Sequence, residues 1–298
     1  MGIINFYCLG AQKAGTSTLH DLLKNHPDIF LPEIKEAAFY QDEKFYPKGR
    51  DWYLERYFSN RSKEKIVGSV SPEFLFYPWV PKRIKNEFGI DIKFIIILRN
   101  PLLRAISHYN MSKTRDLEKR DFFSALKGNP DMSDFFSLKH FSYRQRSLYS
   151  EQIERYLDLF PKENFLFFTF EEFVKNQQNV VDRITKFLGI SKMTLQKRMH
   201  SNQAFDYKIP FLQILIWKFP YLYFSIKRIF PKNVRKILAL LFRRKVKSKF
   251  KINDQFIYST LIEEHFSKDI KKTEDLTGLT LNYWFNNQQT DETNVSVN

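Results

Sequence analysis

"FYCLGAQKAGTSTLHDLL", residues 6–23, changes character twice within eighteen positions. Residues 3–9 (IINFYCL) are apolar, short, and mixed β-branched and aromatic, which is the composition of a buried strand, and Gly10 ends the run. Thr16 to Asn25 reads as a helix with Leu19, Leu22 and Leu23 on one side, closed by His26-Pro27. Where such a strand hands over to a helix, unpaired N–H groups and the helix dipole attract an anion. Gly10 and Gly15 permit the tight turn and a close approach of backbone to ligand. Thr16, Ser17 and Thr18 add hydroxyl donors, and Lys13 adds a mobile positive charge that can reach an oxygen on a leaving group.

The two glycines have the spacing of the ATP-type loop G-x-x-x-x-G-K-[ST], but Thr16 stands where that loop carries its lysine. A magnesium-dependent loop also needs an acidic partner at the end of a second strand, and here Leu98 leads directly to Arg99. Nucleotide hydrolysis is therefore disfavoured. Taken alone, the loop also allows an ordinary turn with Lys13 in solvent.

The strand–turn–helix unit recurs. Residues 92–98 (IKFIIIL) predict a central strand, followed by Arg99-Asn100-Pro101 and a helix over about 102–113. A third strand is predicted over 164–170 (NFLFFTF), after a helix over 147–160 and before one over 172–188 that ends at Gly189. Alternation of this kind predicts an α/β fold with a mostly parallel central sheet flanked by helices, its ligand at the carboxyl ends of the strands. One domain over 1–285 and a polar tail over 286–298 are expected.

With 43% hydrophobic and 17% aromatic residues, 31 of them Phe, the chain can fill a large core. One cysteine, Cys8, excludes an internal disulfide framework and a multi-cysteine metal site, and its place in the first strand predicts a buried, inert thiol. The first strand begins too early for a signal peptide and no long apolar run appears, so a cytoplasmic location is expected. The formal charge is +15, and residues 209–253 hold twelve Lys or Arg with no Asp or Glu. This segment, 211–251 in particular, alternates apolar patches with cations. Three readings stay open for it: an insertion packed on the domain with its charges in water, a peripheral contact with an anionic membrane, or a site for a polyanionic acceptor. Nucleic acid is not expected as a partner, because the charges accompany long aliphatic side chains rather than a recognisable nucleic-acid module.

"QKAGTSTL" (12–19) resembles the 5′-phosphosulfate loop of the sulfotransferases that use 3′-phosphoadenosine 5′-phosphosulfate (PAPS). The resemblance implies that Lys13 contacts the bridging oxygen and that Ala14, Gly15, Thr16, Ser17 and Thr18 cradle the 5′-phosphate. "LRNPLLRAISHY" (98–109) looks like the family's 3′-phosphate segment, which assigns that phosphate to Arg99 and Ser107. Arg104 in the same stretch reads as a solvated helix-surface arginine, and His108 as structural. "LPEIKEAAFY" (31–40) resembles the Lys-Glu-x-x-Phe segment of the carbohydrate sulfotransferases, which implies Glu36 as the base and Lys35 as a substrate contact. The plain alternative for Glu36 is a solvated acid at a helix start. "SNQAFDYKIP" (201–210) falls where relatives close a loop over the nucleotide, which makes Tyr207 and Lys208 candidate contacts. The chain departs from carbohydrate members at Val70, where several of them carry a lysine before Ser-Pro.

The resemblance further implies a P-loop-like sulfotransferase fold and PAPS as donor, with adenosine 3′,5′-bisphosphate as product and no metal. The acceptor it implies is a hydroxyl of a sugar or glycolipid. The rival expectations are a small-molecule kinase using ATP and magnesium, and a membrane-surface protein, peripheral at the inner face, with a degenerate nucleotide site.

Overall fold

The computed structural model describes residues 4–197, 205–207, 243–245 and 250–286. Five strands form one parallel sheet: β1 (Phe6–Gly10), β2 (Ile29–Phe30), β3 (Ile66–Val70), β4 (Lys93–Leu98) and β5 (Phe165–Thr169). Their spatial order is β2-β3-β1-β4-β5. Strands β1 and β4 lie side by side in the middle of the sheet, each with neighbours on both edges. All of β1 is buried, and so is Phe94 to Leu98 of β4. A strand covered on both faces has no use for a polar side, so it reads as an unbroken apolar run. The chain runs from β1 to the edge strand β2, returns to β3 beside β1 and then crosses to β4 on the other side, so the carboxyl ends of β1 and β4 flank the point where the winding reverses. In open α/β sheets this is where ligands bind.

Among the described residues the helices are α1 (Thr16–Leu23), α2 (Gly49–Phe58), α3 (Val80–Phe88), α4 (Pro101–Thr114), α5 (Phe122–Lys127), α6 (Phe135–Phe141), α7 (Tyr149–Leu157), α8 (Phe170–Lys175), α9 (Gln177–Leu188), α10 (Gln255–His265) and α11 (Ser267–Thr277). The expected helix over 172–188 is two helices. Asn176 breaks it, because its side chain accepts from the Asn179 N–H at 3.0 Å and caps a new start. Gly189 ends α9 in the left-handed conformation that the sequence predicts for it. Strand β3 escaped sequence reading, since Gly68 and Ser69 weaken its strand character. Gly68 is needed there, because a Cβ would overlap the ring of Phe6 on β1.

The chain divides into two compact units. The first comprises residues 1–104, 144–201 and 252–298 and contains the whole parallel sheet. The second comprises 105–143 and 202–251, with most of α4, helices α5 and α6, and an antiparallel pair, β6 (Phe205–Tyr207) with β7 (Arg243–Lys245). Within this second unit Asn110 grips the backbone of Phe250 from both sides, donating to its carbonyl at 3.0 Å and accepting from its N–H at 2.9 Å. The Phe250 ring stacks on Phe122 at 4.6 Å. The basic segment 211–251 otherwise lies outside the described residues, apart from the backbone of β7 and residues 250–251. By sequence the second unit carries 19 Lys and Arg against 6 Asp and Glu, so it holds +13 of the +15 formal charge. Among the described residues no helix is long and apolar enough to cross a membrane.

Candidate active site

The loop after β1 is built around two left-handed residues. Gly15 sits at φ 79°, ψ 10° immediately before α1, where a glycine costs nothing and other residues are strained. A Cβ at that position would also lie 2.9 Å from two ring carbons of Phe170. Lys13 adopts φ 73° although it carries a side chain. No acidic residue stands in the first turn of α1, so the positive end of the helix is not neutralised locally. Thr16 and Thr18 are buried, while Lys13 and Ser17 are half-buried at the loop surface.

Arg99 leaves the end of β4 and reaches this loop directly. Its Nη1 donates to the Lys13 carbonyl at 3.0 Å. Its guanidinium lies over the Phe170 ring, 4.6 Å from the centroid, at the start of α8. Arg99 is anchored through its backbone as well, because its carbonyl accepts from the Tyr149 hydroxyl at 2.8 Å. Next to it Asn100 is bonded through its side chain and its N–H. Its Oδ1 accepts from the Leu103 N–H and so caps α4; its Nδ2 donates to the Tyr258 hydroxyl at 2.6 Å and the Trp284 carbonyl at 2.9 Å; its own N–H donates to Glu171 Oε1 at 3.2 Å. Burial pushes the Glu171 carboxyl above its ordinary pKa, against the lowering pull of backbone N–H groups and Arg99. The C-terminal helices thus fix the turn that carries Arg99.

Glu36 lies beyond the end of β3, the neighbour of β1 in which Val70 is opposite Cys8. Its N–H donates to the Val70 carbonyl at 3.1 Å, and it adopts φ 64° in a turn rather than at a helix start. Its carboxylate accepts from Lys35 Nζ at 2.6 Å and is half-exposed, whereas Lys35 is mostly covered. The Lys35 charge is felt at the end of β1: burial pushes the Cys8 thiol up to about 12, with the Gly10 backbone and Lys35 pulling it down. Cys8 is the buried, inert thiol expected of it. Among the described residues only Lys13, Glu36 and Asp116 are non-glycine residues with positive φ. Two of these three are the residues picked out for chemistry, and strained backbone of this kind concentrates at functional sites.

The structure therefore joins Lys13 to Arg99 and Lys35 to Glu36. Ser107 is half-buried on α4 within the second unit, so its assignment to the 3′-phosphate rests on the sequence of 98–109. Tyr207 is described only as the backbone partner of Arg243 in the β6–β7 pair, and Lys208 lies outside the described residues. Arg104 corrects the reading from sequence: it is fully buried, not solvated, and its Nε donates to the Ser147 hydroxyl at 2.6 Å. Burial lowers its pKa to about 10. His108 is likewise fully buried, edge-on to Tyr143 with ring centres 4.8 Å apart, as a structural residue should be.

Three residues were missed. Glu73 is buried and accepts from Gln12 Nε2 at 3.4 Å, which ties the loop after β1 to the segment after β3. Arg146, also buried, donates to the Tyr77 hydroxyl at 3.0 Å. Phe170 contacts both loops. A buried Glu or Arg breaks the usual surface rule for charges, but only the fold shows which ones are buried. Among the described residues no group of three or more His, Cys, Asp or Glu is arranged to hold a metal ion.

Two neighbouring strand ends, a glycine-built loop with its lysine inside it and an arginine bonded across to that lysine's carbonyl thus meet at the switch point of a parallel sheet. The sulfotransferase-domain family model matches residues 5–208, and the chain belongs to that family. Heparan sulfate glucosamine 3-O-sulfotransferase 3A1 of Mus musculus is 30% identical over 211 residues, covering 66% of this chain and 48% of that protein. Heparan sulfate glucosamine 3-O-sulfotransferase 6 of Homo sapiens is 29% identical over 197 residues, 65% of this chain and 54% of that one. The chain spans about half the length of these relatives. The crystal structure of a sulfotransferase from Alicyclobacillus acidocaldarius superposes with a TM-score of 0.63 at 25% identity, over 95% of this chain and 99% of that one.

Proposed function

We propose that this protein transfers the sulfuryl group of PAPS to a hydroxyl of a carbohydrate. The bond between Arg99 and the Lys13 carbonyl is the observation that carries the reading. It brings Arg99 against the loop that carries Lys13, and a donor phosphorylated at both ends requires both cations. Residues 13–18 take the 5′-phosphosulfate and Arg99, with Ser107 further along the same segment, takes the 3′-phosphate. The acceptor oxygen attacks sulfur in line. A new O–S bond forms as the S–O bond to the 5′-phosphate breaks, Glu36 receives the hydroxyl proton, and Lys13 neutralises the oxygen that departs with the phosphate. Lys35, which donates to Glu36 at 2.6 Å, orients that carboxylate.

Support for an anionic sugar as acceptor comes from charge and from the relatives. By sequence the second unit is far from neutral, and a net positive charge draws anions over about a Debye length. The relatives named above act on heparan sulfate glucosamine by their names.

Thermal shift with adenosine 3′,5′-bisphosphate, set against ATP and magnesium, tests the donor. Stabilisation by the bisphosphate is expected. Stabilisation by ATP and magnesium alone sinks the reading in favour of a kinase. Label transfer from PAPS to a panel of sulfated, carboxylated and neutral sugars then tests the acceptor.

A further inference from the structure

Phe170 is half-exposed at the carboxyl end of β5, and no sequence motif assigns it a role. The edge of its ring closes on Gly15 so tightly that a single added carbon would sit 2.9 Å away, and its face carries the Arg99 guanidinium at 4.6 Å. Arg99 in turn holds the carbonyl of Lys13, whose left-handed backbone is costly for a residue with a side chain. Ring, guanidinium, lysine carbonyl and glycine form a closed circuit that visits both phosphate loops.

We propose that Phe170 is a positioning residue that couples the two loops, so that occupation of Arg99 by a 3′-phosphate alters how Lys13 is presented to the other end of the donor. The inference rests on the donor proposed above. Its physical basis is the shared guanidinium. A phosphate drawn to Arg99 competes with the ring face and the Lys13 carbonyl for one rigid planar group, and any tilt of that plane moves the bond that holds Lys13. A flat aromatic face is needed to hold the plane. An aliphatic side chain of similar volume fills the space beside Gly15 without doing so.

The test uses a ligand that engages only the Arg99 end, adenosine 3′-monophosphate, and reads the other end through the acylation rate of Lys13 by mass spectrometry. Calorimetry on each variant verifies binding of this ligand and of adenosine 3′,5′-bisphosphate. In the native chain and in Phe170→Tyr, saturating 3′-monophosphate is expected to change the Lys13 rate about 5-fold or more, the low end of coupling between linked sites. In Phe170→Leu the 3′-monophosphate should still bind and the Lys13 rate should no longer respond. An equal response in Phe170→Leu overturns the coupling, as does no response in the native chain despite binding. Absence of any binding of the 3′,5′-bisphosphate to the native chain is a different signature: it overturns the donor reading and the coupling with it.

Discussion

The two units of this chain divide charge unevenly. The first has 29 Lys and Arg against 27 Asp and Glu, the second 19 against 6. In the first unit cations near the crevice are individually placed: Lys35 on Glu36, Arg99 on the Lys13 carbonyl, Arg104 on Ser147. Such matching fits a site that must aim a few charges at specific oxygens. An uncompensated surface does the opposite work, raising the local concentration of anions without fixing their geometry. Chemistry and attraction are therefore separable by mutation, and the expected effects differ in kind and in size.

The largest effects should come from the first unit. Lys13→Ala is expected to lower kcat by about 10³-fold, the upper end for loss of one group facing developing charge. Its thermal midpoint should stay near native, since Lys13 is half-buried and alanine keeps the backbone carbonyl that accepts from Arg99. Glu36→Gln should lower kcat about 10²-fold, the lower end for general-base loss, with bisphosphate affinity unchanged by calorimetry. A native kcat in either variant would break the assignment of that residue.

Gly15→Ala comes next and acts on stability. An L-residue at φ 79° costs about 1–2 kcal/mol, and overpacking against Phe170 about 1–3 more. A loss of about 2–5 kcal/mol in urea unfolding is expected, partly recovered in the double variant Gly15→Ala/Phe170→Leu. Equal losses in the single and double variants would show that backbone strain alone is at work.

How much of this was legible in the sequence follows from how far each feature spreads along the chain. The first loop was legible because strand, turn and helix are consecutive, so glycine spacing, hydroxyls and lysine appear in one line of text. Arg99 was legible because it ends an apolar run. Its bond to Lys13 spans 86 positions and no local pattern encodes it. Glu73 and Gln12 meet across 61 positions, and Phe170 looks like any strand-end aromatic until Gly15 packs against it. Arg104 was misread for a related reason: its place on a helix is visible, but the Ser147 that faces it is not. Residues of the second unit gave composition clearly and geometry poorly, since charge is additive and packing is not.

A smaller effect separates the units by salt. With a sulfated or carboxylated sugar as acceptor, KM should rise several-fold between about 0.05 and 0.3 M salt as the Debye length shortens. Neutralising Arg243, Arg244 and Lys245 of the second unit to Gln should flatten that slope and leave kcat unchanged. An equally steep slope in the triple variant would remove the second unit from acceptor attraction.

The smallest expected effect has opposite signs in the two units. In the first, burial holds the Glu171 carboxyl above its unfolded value of about 4.3, so its contribution to stability is complete below that value and is lost as pH rises through the higher folded value. In the second unit burial also pulls Glu118 upward, but Arg120 outweighs it through contacts of 2.7 Å from Nη2, 3.0 Å from Nε and 2.9 Å from its N–H, and the folded pKa is lowered. That contribution is present above the unfolded value and is lost as pH falls through the lower folded one. Acidification from neutrality should therefore slow hydrogen exchange around Phe170–Lys175 and, at the acid end, speed it around residues 115–122, after correction for intrinsic rates. Glu171→Gln and Glu118→Gln should each abolish the response in their own unit only. If both segments loosen together on acidification, the carboxylates do not act locally and the contrast between the units is one of charge count alone.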